Sequence, residues 1–341
     1  MKKRVLVIGA TGAMGSYLAP KLAKMGYEVD GLTLLDVVSD TPGLKYIKCN
    51  AKDLSFLEEL MKNEYAAIVD FLIYPSCEIF EPYRKLFLSN CDHYIFFSSY
   101  RVYANTQPLT ETSPRLLDVA KDPIYLASGD YSLYKAKEED LLNSGSSSNY
   151  TIIRPAITYS KVRFQLTTME CNMFIPRMFE GKTVVLPEPA MDRYTTMSWA
   201  GDVAEMIARL VLNPDAKRET YTAATAEYHT WREVADIYGR LGGLKYVTAS
   251  TEDYIGIIDP DSLTGLQQLT YDRYFDRIVD NTKILTATGM KQSELLTLEE
   301  GLGRELSALT PTTIRPNLEI SLRMDDYLKK TFANKLLNGK S

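Results

Sequence analysis

The chain has 341 residues, 45% hydrophobic and 24% charged, a balance that supplies apolar surface for a large core and excludes wholesale disorder. That length suits one large domain or two modest ones. A net charge of -5 and a pI near 5.4 give no general attraction to phosphate backbones or anionic lipid, so neither nucleic acid nor a membrane is expected as a partner.

In chain order, the basic start Met1-Lys2-Lys3-Arg4 leads into a strand at 4–8, not into the apolar stretch and small-residue cleavage site of a signal peptide. The longest apolar stretches, 5–10 and 65–74, are too short to span a bilayer. A cytoplasmic location is therefore expected. Gly9-Ala10-Thr11-Gly12-Ala13-Met14-Gly15 follows the first strand and opens a helix over 13–25 that ends at Gly26, the context in which a glycine-rich turn signifies dinucleotide binding. Gly9 permits the turn, Gly12 admits the pyrophosphate, and Gly15 allows close helix–strand packing; Thr11, Ala13 and Met14 supply the remaining cradle at the helix N-terminus.

A second strand at 29–32 places Thr33 at its end and Asp36 just beyond, where a side chain would grip the adenosine ribose. No Arg lies nearby to hold a 2′-phosphate, so NAD is the expected cofactor, with NADP left open. An amphipathic helix over 54–62, a strand at 67–72 and a strand at 94–97 follow. Polar residues Ser98-Ser99-Tyr100-Arg101 stand at the carboxyl end of that last strand, where open α/β sheets bind ligands.

A helix over 131–142 runs into the loop 144–149, and a strand at 151–153 completes the pattern of a parallel sheet with crossover helices. From about residue 157 the alternation weakens. Asp202 is placed to cap a helix that stops at Asn213-Pro214, the segment 217–223 is expected to return to the main sheet, Thr230 and Glu233 have capping-box spacing, and 318–337 reads as helix. The expected fold is α/β: a Rossmann-type doubly wound parallel sheet over 1–156, joined by elements of 200–225, with a smaller mixed substrate lobe from 157–199 and 226–341. Cys49, Cys77, Cys91 and Cys171 lack CxxC spacing and the only histidines are His93 and His229, so reduced thiols and no metal are expected, and neither histidine receives a role.

Tyr131 and Lys135 form a YxxxK pair whose i, i+4 spacing puts both side chains on one helix face. An ammonium beside a phenol stabilises phenolate and prepares it for proton exchange with a hydroxyl or carbonyl. The same spacing arises by chance at Tyr17 and Lys21. Position separates the two, because Tyr131 begins a helix downstream of the strand that ends in Ser98-Ser99. Ser99 is the expected hydrogen-bonding partner of the substrate oxygen.

With Gly9 to Gly15, Ser98-Ser99-x-x-Val102-Tyr103, Tyr131 to Lys135, Arg154-Pro155 and Asp202-Val203-Ala204, the chain resembles the NAD-dependent epimerase/dehydratase family, the extended short-chain dehydrogenases that include UDP-galactose 4-epimerase. The resemblance implies that Lys135 also holds the nicotinamide ribose, that Phe71, Leu72 and Pro155 line the cofactor, that Asn50 meets the adenine, and that the protein is a homodimer. It also implies a sugar or nucleotide-sugar substrate, with Ser99, Arg101, Tyr159 and Arg193 as the residues placed to meet it.

Two departures bear on that substrate. Tyr100-Arg101 replaces the Asp-Glu pair of the family's dehydratases, and Ala156-Ile157-Thr158-Tyr159-Ser160 replaces the usual Asn-x-Tyr-Gly. The expected activity is reversible hydride transfer in an NAD(P)-dependent epimerase or oxidoreductase of a sugar or nucleotide sugar. A dehydrogenase or reductase of a free sugar, polyol or sugar acid is the alternative, and a non-catalytic dinucleotide sensor or RNA-binding relative is a third class.

Overall fold

The computed structural model describes residues 3–338; Met1, Lys2 and 339–341, which the expected domains include, lie outside it. The chain divides into two compact units. One comprises the chain up to Ser160, Thr196–Glu227 and Ile278–Leu296; the other comprises Lys161–Thr195, Tyr228–Arg277 and the chain from Thr297.

The first unit is built on β1 (Arg4–Ile8), α1 (Gly15–Lys24), β2 (Glu28–Thr33), β3 (Leu44–Lys48), α2 (Leu54–Leu60), β4 (Ala67–Asp70), α3 (Cys77–Ser89), β5 (His93–Phe97), α4 (Leu116–Val119), α5 (Pro123–Ala127), α6 (Tyr131–Ser144) and β6 (Tyr150–Pro155). With the strand Glu219–Ala223 beside β6, the sheet has seven strands, and β1 lies between β4 and β2 with β3 at the far edge. All its pairings are parallel. This is the doubly wound Rossmann-type sheet, and the return of Glu219–Ala223 to it is as expected.

Burial on both faces explains why β1, β4 and β5 carry near-continuous apolar runs and not alternating ones. Val5 and Val7 of β1 enter one core with Leu18 and Leu22 of α1 and Val203 and Ile207 of the helix Ala200–Leu210. Leu6 and Ile8 point the other way, into a core with Leu57 of α2, Phe80 and Phe87 of α3 and Leu142 of α6.

Several boundaries differ from the pattern-based reading. β4 stops at Asp70, not at residue 72, because the Asp70 carboxylate accepts the Leu72 N–H at 2.9 Å and the Tyr74 and Tyr94 hydroxyls at 2.8 Å, turning the chain out of the sheet. β5 ends at Phe97 as expected but begins one residue earlier, at His93, and Ser98-Ser99 lead into a 3-10 turn over Tyr100–Val102. Trp199, not Asp202, stands at the N-cap of Ala200–Leu210, and Asp202 accepts the Leu296 N–H at 2.8 Å instead. β3 and α3 have no counterpart in that reading; α3 holds Pro82, and the half-polar β3 lies at the sheet edge.

His93, without a recognisable partner in sequence, has two in the fold: its Nε2 meets the Thr151 hydroxyl at 2.8 Å and its Nδ1 accepts the Leu212 N–H at 2.9 Å. The second bond requires a ring nitrogen without a proton. Burial pushes the imidazole down from 6.5 to about 4. The unfolded chain therefore takes up this proton before the folded chain does, so stability is intact above 6.5 and falls as pH drops toward 4. Between pH 7 and 4.5, urea unfolding should show wild type losing about 2–3 kcal/mol more than His93→Asn; equal losses would remove His93 from the acid sensitivity.

In the second unit, the helix Trp231–Gly242 begins with the expected capping box of Thr230 and Glu233, and Thr183–Pro187 pairs in parallel with Lys245–Ala249. Leu318–Asn338 is helical, as expected. Buried Arg177 bonds Asp325 and Ser321 of that helix at 2.7 Å each and the Thr183 carbonyl, anchoring the helix Cys171–Phe179. Among the described residues no helix is long and apolar enough to cross a membrane.

Candidate active site

The sheet order reverses direction between β1 and β4, and the carboxyl ends of those strands flank the crevice in which open α/β sheets bind ligands. The glycine turn occupies the end of β1. Gly9 adopts φ +81 and its N–H, with that of Ala10, bonds the Leu32 carbonyl of β2. A Cβ on Gly15 would stand 2.2 Å from the Gly9 carbonyl oxygen and 2.8 Å from the Ala10 Cα, so α1 approaches the turn as only glycine permits. Gly12 is exposed at the top of the turn, between Thr11 and the half-buried Ala13 and Met14.

No side chain caps α1, and its first turn holds no acidic residue. Its N-terminus therefore presents backbone donors and a positive dipole end without a competing anion. These features fit the pyrophosphate of a dinucleotide.

Around the turn, the Thr11 hydroxyl meets that of Thr33 at 2.7 Å, and the Thr33 hydroxyl accepts the Leu35 N–H. Asp36 is exposed and paired with Lys48 at 3.3 Å. The sequence reading found no cation here because Lys48 lies on β3, whose register sets it opposite Thr33. Asn50 is exposed and accepts the Lys52 N–H at 3.1 Å. Phe71 follows β4 with its Cβ 3.2 Å from the position a Gly9 Cβ would take, and its ring lies 4.3 Å from that of Phe97. Leu72 is half-buried beside it, and Pro155 is half-buried at the end of β6.

The proposed catalytic side chains sit where β5 ends and α6 begins. Ser99 caps the turn after β5, its hydroxyl accepting the Arg101 N–H at 3.2 Å. Arg101 then reaches α6: it pairs with Asp130 at 3.3 Å and lies 5.4 Å from the centre of the Tyr131 ring. Asp130 caps α6 through the Ser132 N–H. Arg101 thus joins the Ser99 turn to the Tyr131 helix. Tyr131 is half-buried, edge-on to Tyr134 at 5.3 Å.

Lys135 is 1% exposed, with its Nζ 2.9 Å from Glu138 Oε2 and 4.7 Å from the Phe96 ring centre. Burial, reinforced by Asp70 and opposed by Lys135, pushes the Glu138 carboxyl up to about 7. Burial likewise raises Asp70, against its own hydrogen bonds. Asp70, Asp130 and Glu138 escaped the sequence reading. The available signal was Glu138 three residues after Lys135, on the helix face that apolar Leu142 continues.

Arg154 does not face an open site: it forks onto buried Glu139 at 2.7 and 2.8 Å. Tyr159 is fully buried within the first unit. Arg193 belongs to the second unit, half-exposed and 3.7 Å from Asp276.

The model of the NAD-dependent epimerase/dehydratase family matches residues 5–76, the segment that holds the glycine turn, β2, β3 and β4. No curated protein matches the chain in sequence. Among solved structures, the chain is similar to an epimerase from Methanothermobacter thermautotrophicus, with a TM-score of 0.68 and 15% identity over 90% of this chain and 92% of that one. It is also similar to the UDP-glucose 4-epimerase of Thermus thermophilus in complex with NAD, with a TM-score of 0.64 and 20% identity over 90% of this chain and all of that one. A third is the Bordetella bronchiseptica enzyme WbmG in complex with NAD and UDP, with a TM-score of 0.64 and 17% identity over 90% of this chain and 94% of that one. At such identities the likeness is one of fold.

Proposed function

We propose, from the family match over 5–76 and the geometry at the sheet's switch point, that this chain is an NAD-dependent epimerase or oxidoreductase of the extended short-chain type, acting on a sugar or nucleotide sugar. The observation that carries the reading is the Gly9–Gly15 turn: an uncapped helix N-terminus, reached through a glycine that excludes any Cβ, at the crevice between β1 and β4. Solved structures of the same fold hold NAD, one of them with UDP, and this supports the cofactor and the substrate class.

When bound, the nicotinamide supplies a two-electron acceptor and donor. Tyr131 takes the proton from the substrate hydroxyl or returns it to the carbonyl oxygen. Ser99 holds that oxygen by a hydrogen bond, and Lys135 favours the phenolate and orients the cofactor ribose. Thr33 and Asp36 hold the adenosine ribose, Asn50 meets the adenine, and Phe71, Leu72 and Pro155 line the remaining wall. Arg101 meets the substrate. In this reading 1–156 with 200–225 binds the dinucleotide and 157–199 with 226–341 binds the substrate, in a cytoplasmic homodimer.

Arg101 is engaged by Asp130 and Tyr131, which favours a second reading: a dehydrogenase or reductase whose free sugar, polyol or sugar acid needs no phosphate clamp. Native mass spectrometry of freshly purified protein tests the two. A chain that retains NAD, released only on denaturation, supports the epimerase, whose cofactor is regenerated within each cycle. A chain that is purified empty and binds added NADH supports the dehydrogenase or reductase. Failure to bind either dinucleotide overturns both.

A further inference from the structure

Glu138 is a buried acid that the proposed chemistry does not use. Its Oε2 accepts the Lys135 ammonium at 2.9 Å, while among the described residues its Oε1 has no hydrogen-bond partner. Both residues are 1% exposed or less. A buried ion pair recovers its desolvation cost only when the remaining lone pairs are also satisfied, and here one oxygen is bare. A proton on Glu138 removes the negative charge whose desolvation that bare oxygen leaves uncompensated.

The direction of the bond matters. Tyr131 lies one helical turn before Lys135, and Glu138 lies one turn after it. Side chains on a helix lean toward its N-terminus, and a Lys followed by Glu is the less favoured order along the helix dipole. Glu138 therefore competes for the ammonium from the side of Lys135 opposite Tyr131 along α6.

Other titratable and charged groups face the pair, among them Asp70, which burial also raises. β4 contributes Asp70, held by the Tyr74 and Tyr94 hydroxyls, and α3 contributes Cys77, whose thiol burial raises. On α6 itself, Tyr134 is raised by burial, Lys137 is exposed, and Glu139 is committed to Arg154 and Arg115. Of the other segments packed on α6, Asp118 of α4 pairs with Arg115, and Arg101 pairs with Asp130.

We infer that Glu138 is a latch on Lys135: ionised, it parks the ammonium in the interior one turn from Tyr131, and on taking a proton from solvent it releases the ammonium to the bound dinucleotide. The inference rests on the dinucleotide reading above. Glu138 is a positioning residue, acting through Lys135.

The test is NADH affinity, read by fluorescence titration from pH 6 to pH 8, with the whole chain and no substrate. With the Glu138 midpoint at about 7, the released fraction falls about tenfold across that range, and the apparent Kd of the wild type should rise about tenfold with it. Glu138→Gln should bind at the wild type's pH 6 affinity throughout. A wild-type pH slope that survives in Glu138→Gln, or a wild type without a slope, overturns the latch alone. A wild type that binds no NADH at any pH overturns the dinucleotide reading and the latch with it. If Glu138→Gln fails to fold, Lys135→Met decides, since its apolar chain fills the same space: binding weaker but flat with pH supports the latch, and a persistent slope overturns it.

Discussion

Tyr131→Phe should lower turnover by about 10²–10⁴-fold while leaving NADH affinity within about twofold of wild type. The substitution removes one hydroxyl and nothing else on which the local structure depends. The ring keeps its edge-on contact with Tyr134 and its place beneath the Arg101 guanidinium. α6 keeps its start, because Asp130 supplies the cap through the Ser132 N–H. The glycine turn is on another strand and is untouched. Turnover is measured with the compound released from the native chain or with a panel of sugars and nucleotide sugars, and affinity by fluorescence. Wild-type turnover in Tyr131→Phe would remove Tyr131 from the chemistry and with it the purpose of the Ser99–Arg101–Asp130 linkage.

A Gly15→Ala chain should lose about 3 kcal/mol of stability, the upper end of overpacking costs, because its Cβ meets backbone and not a side chain able to rotate away. The added carbon would stand 2.2 Å from the Gly9 carbonyl oxygen, 2.8 Å from the Ala10 Cα and 3.0 Å from the Ala10 carbonyl carbon. α1 must retreat from β1 to admit it, carrying its N-terminal donors out of position, so NADH affinity should fall at least about tenfold, or about 1.4 kcal/mol.

Gly12→Ala provides the contrast. Its Cβ would meet the Gly9 carbonyl oxygen at 3.2 Å, a tight contact with one atom, and Gly12 is exposed. Its stability should stay within about 1 kcal/mol of wild type while NADH affinity falls, because the added methyl group occupies the path of the pyrophosphate. Urea midpoints and NADH titrations on the two variants separate the glycine that packs from the glycine that binds. Equal behaviour of the two would contradict that division.

The elements legible in the sequence are those whose physics is local. β1 and β5 are buried on both faces, so Val5–Ile8 and Tyr94–Phe97 stand as short apolar runs of strand length. The glycine turn was legible because steric demands at Gly9 and Gly15 leave no other residue, and the helix Trp231–Gly242 because Thr230 and Glu233 satisfy each other's backbone within three residues. YxxxK could be placed on α6 for the same reason of local spacing.

What lay outside that reach depends on residues far apart in the chain. β3 has a half-polar edge-strand pattern, and only its pairing with β2 sets Lys48 beside Asp36. Asp70 ends β4 because a hydroxyl 24 residues away, on Tyr94, points at it. Arg101 is expected from the sequence to meet the substrate, yet the fold also pairs it with Asp130, 29 residues on. By itself the sequence determined the sheet, the glycine turn and the candidate Ser99, Tyr131 and Lys135, because backbone sterics and burial act on neighbours. Only the tertiary structure decided what surrounds those side chains, because a charge removed from water takes whichever partner the fold brings within reach, and for Lys135 that partner is Glu138.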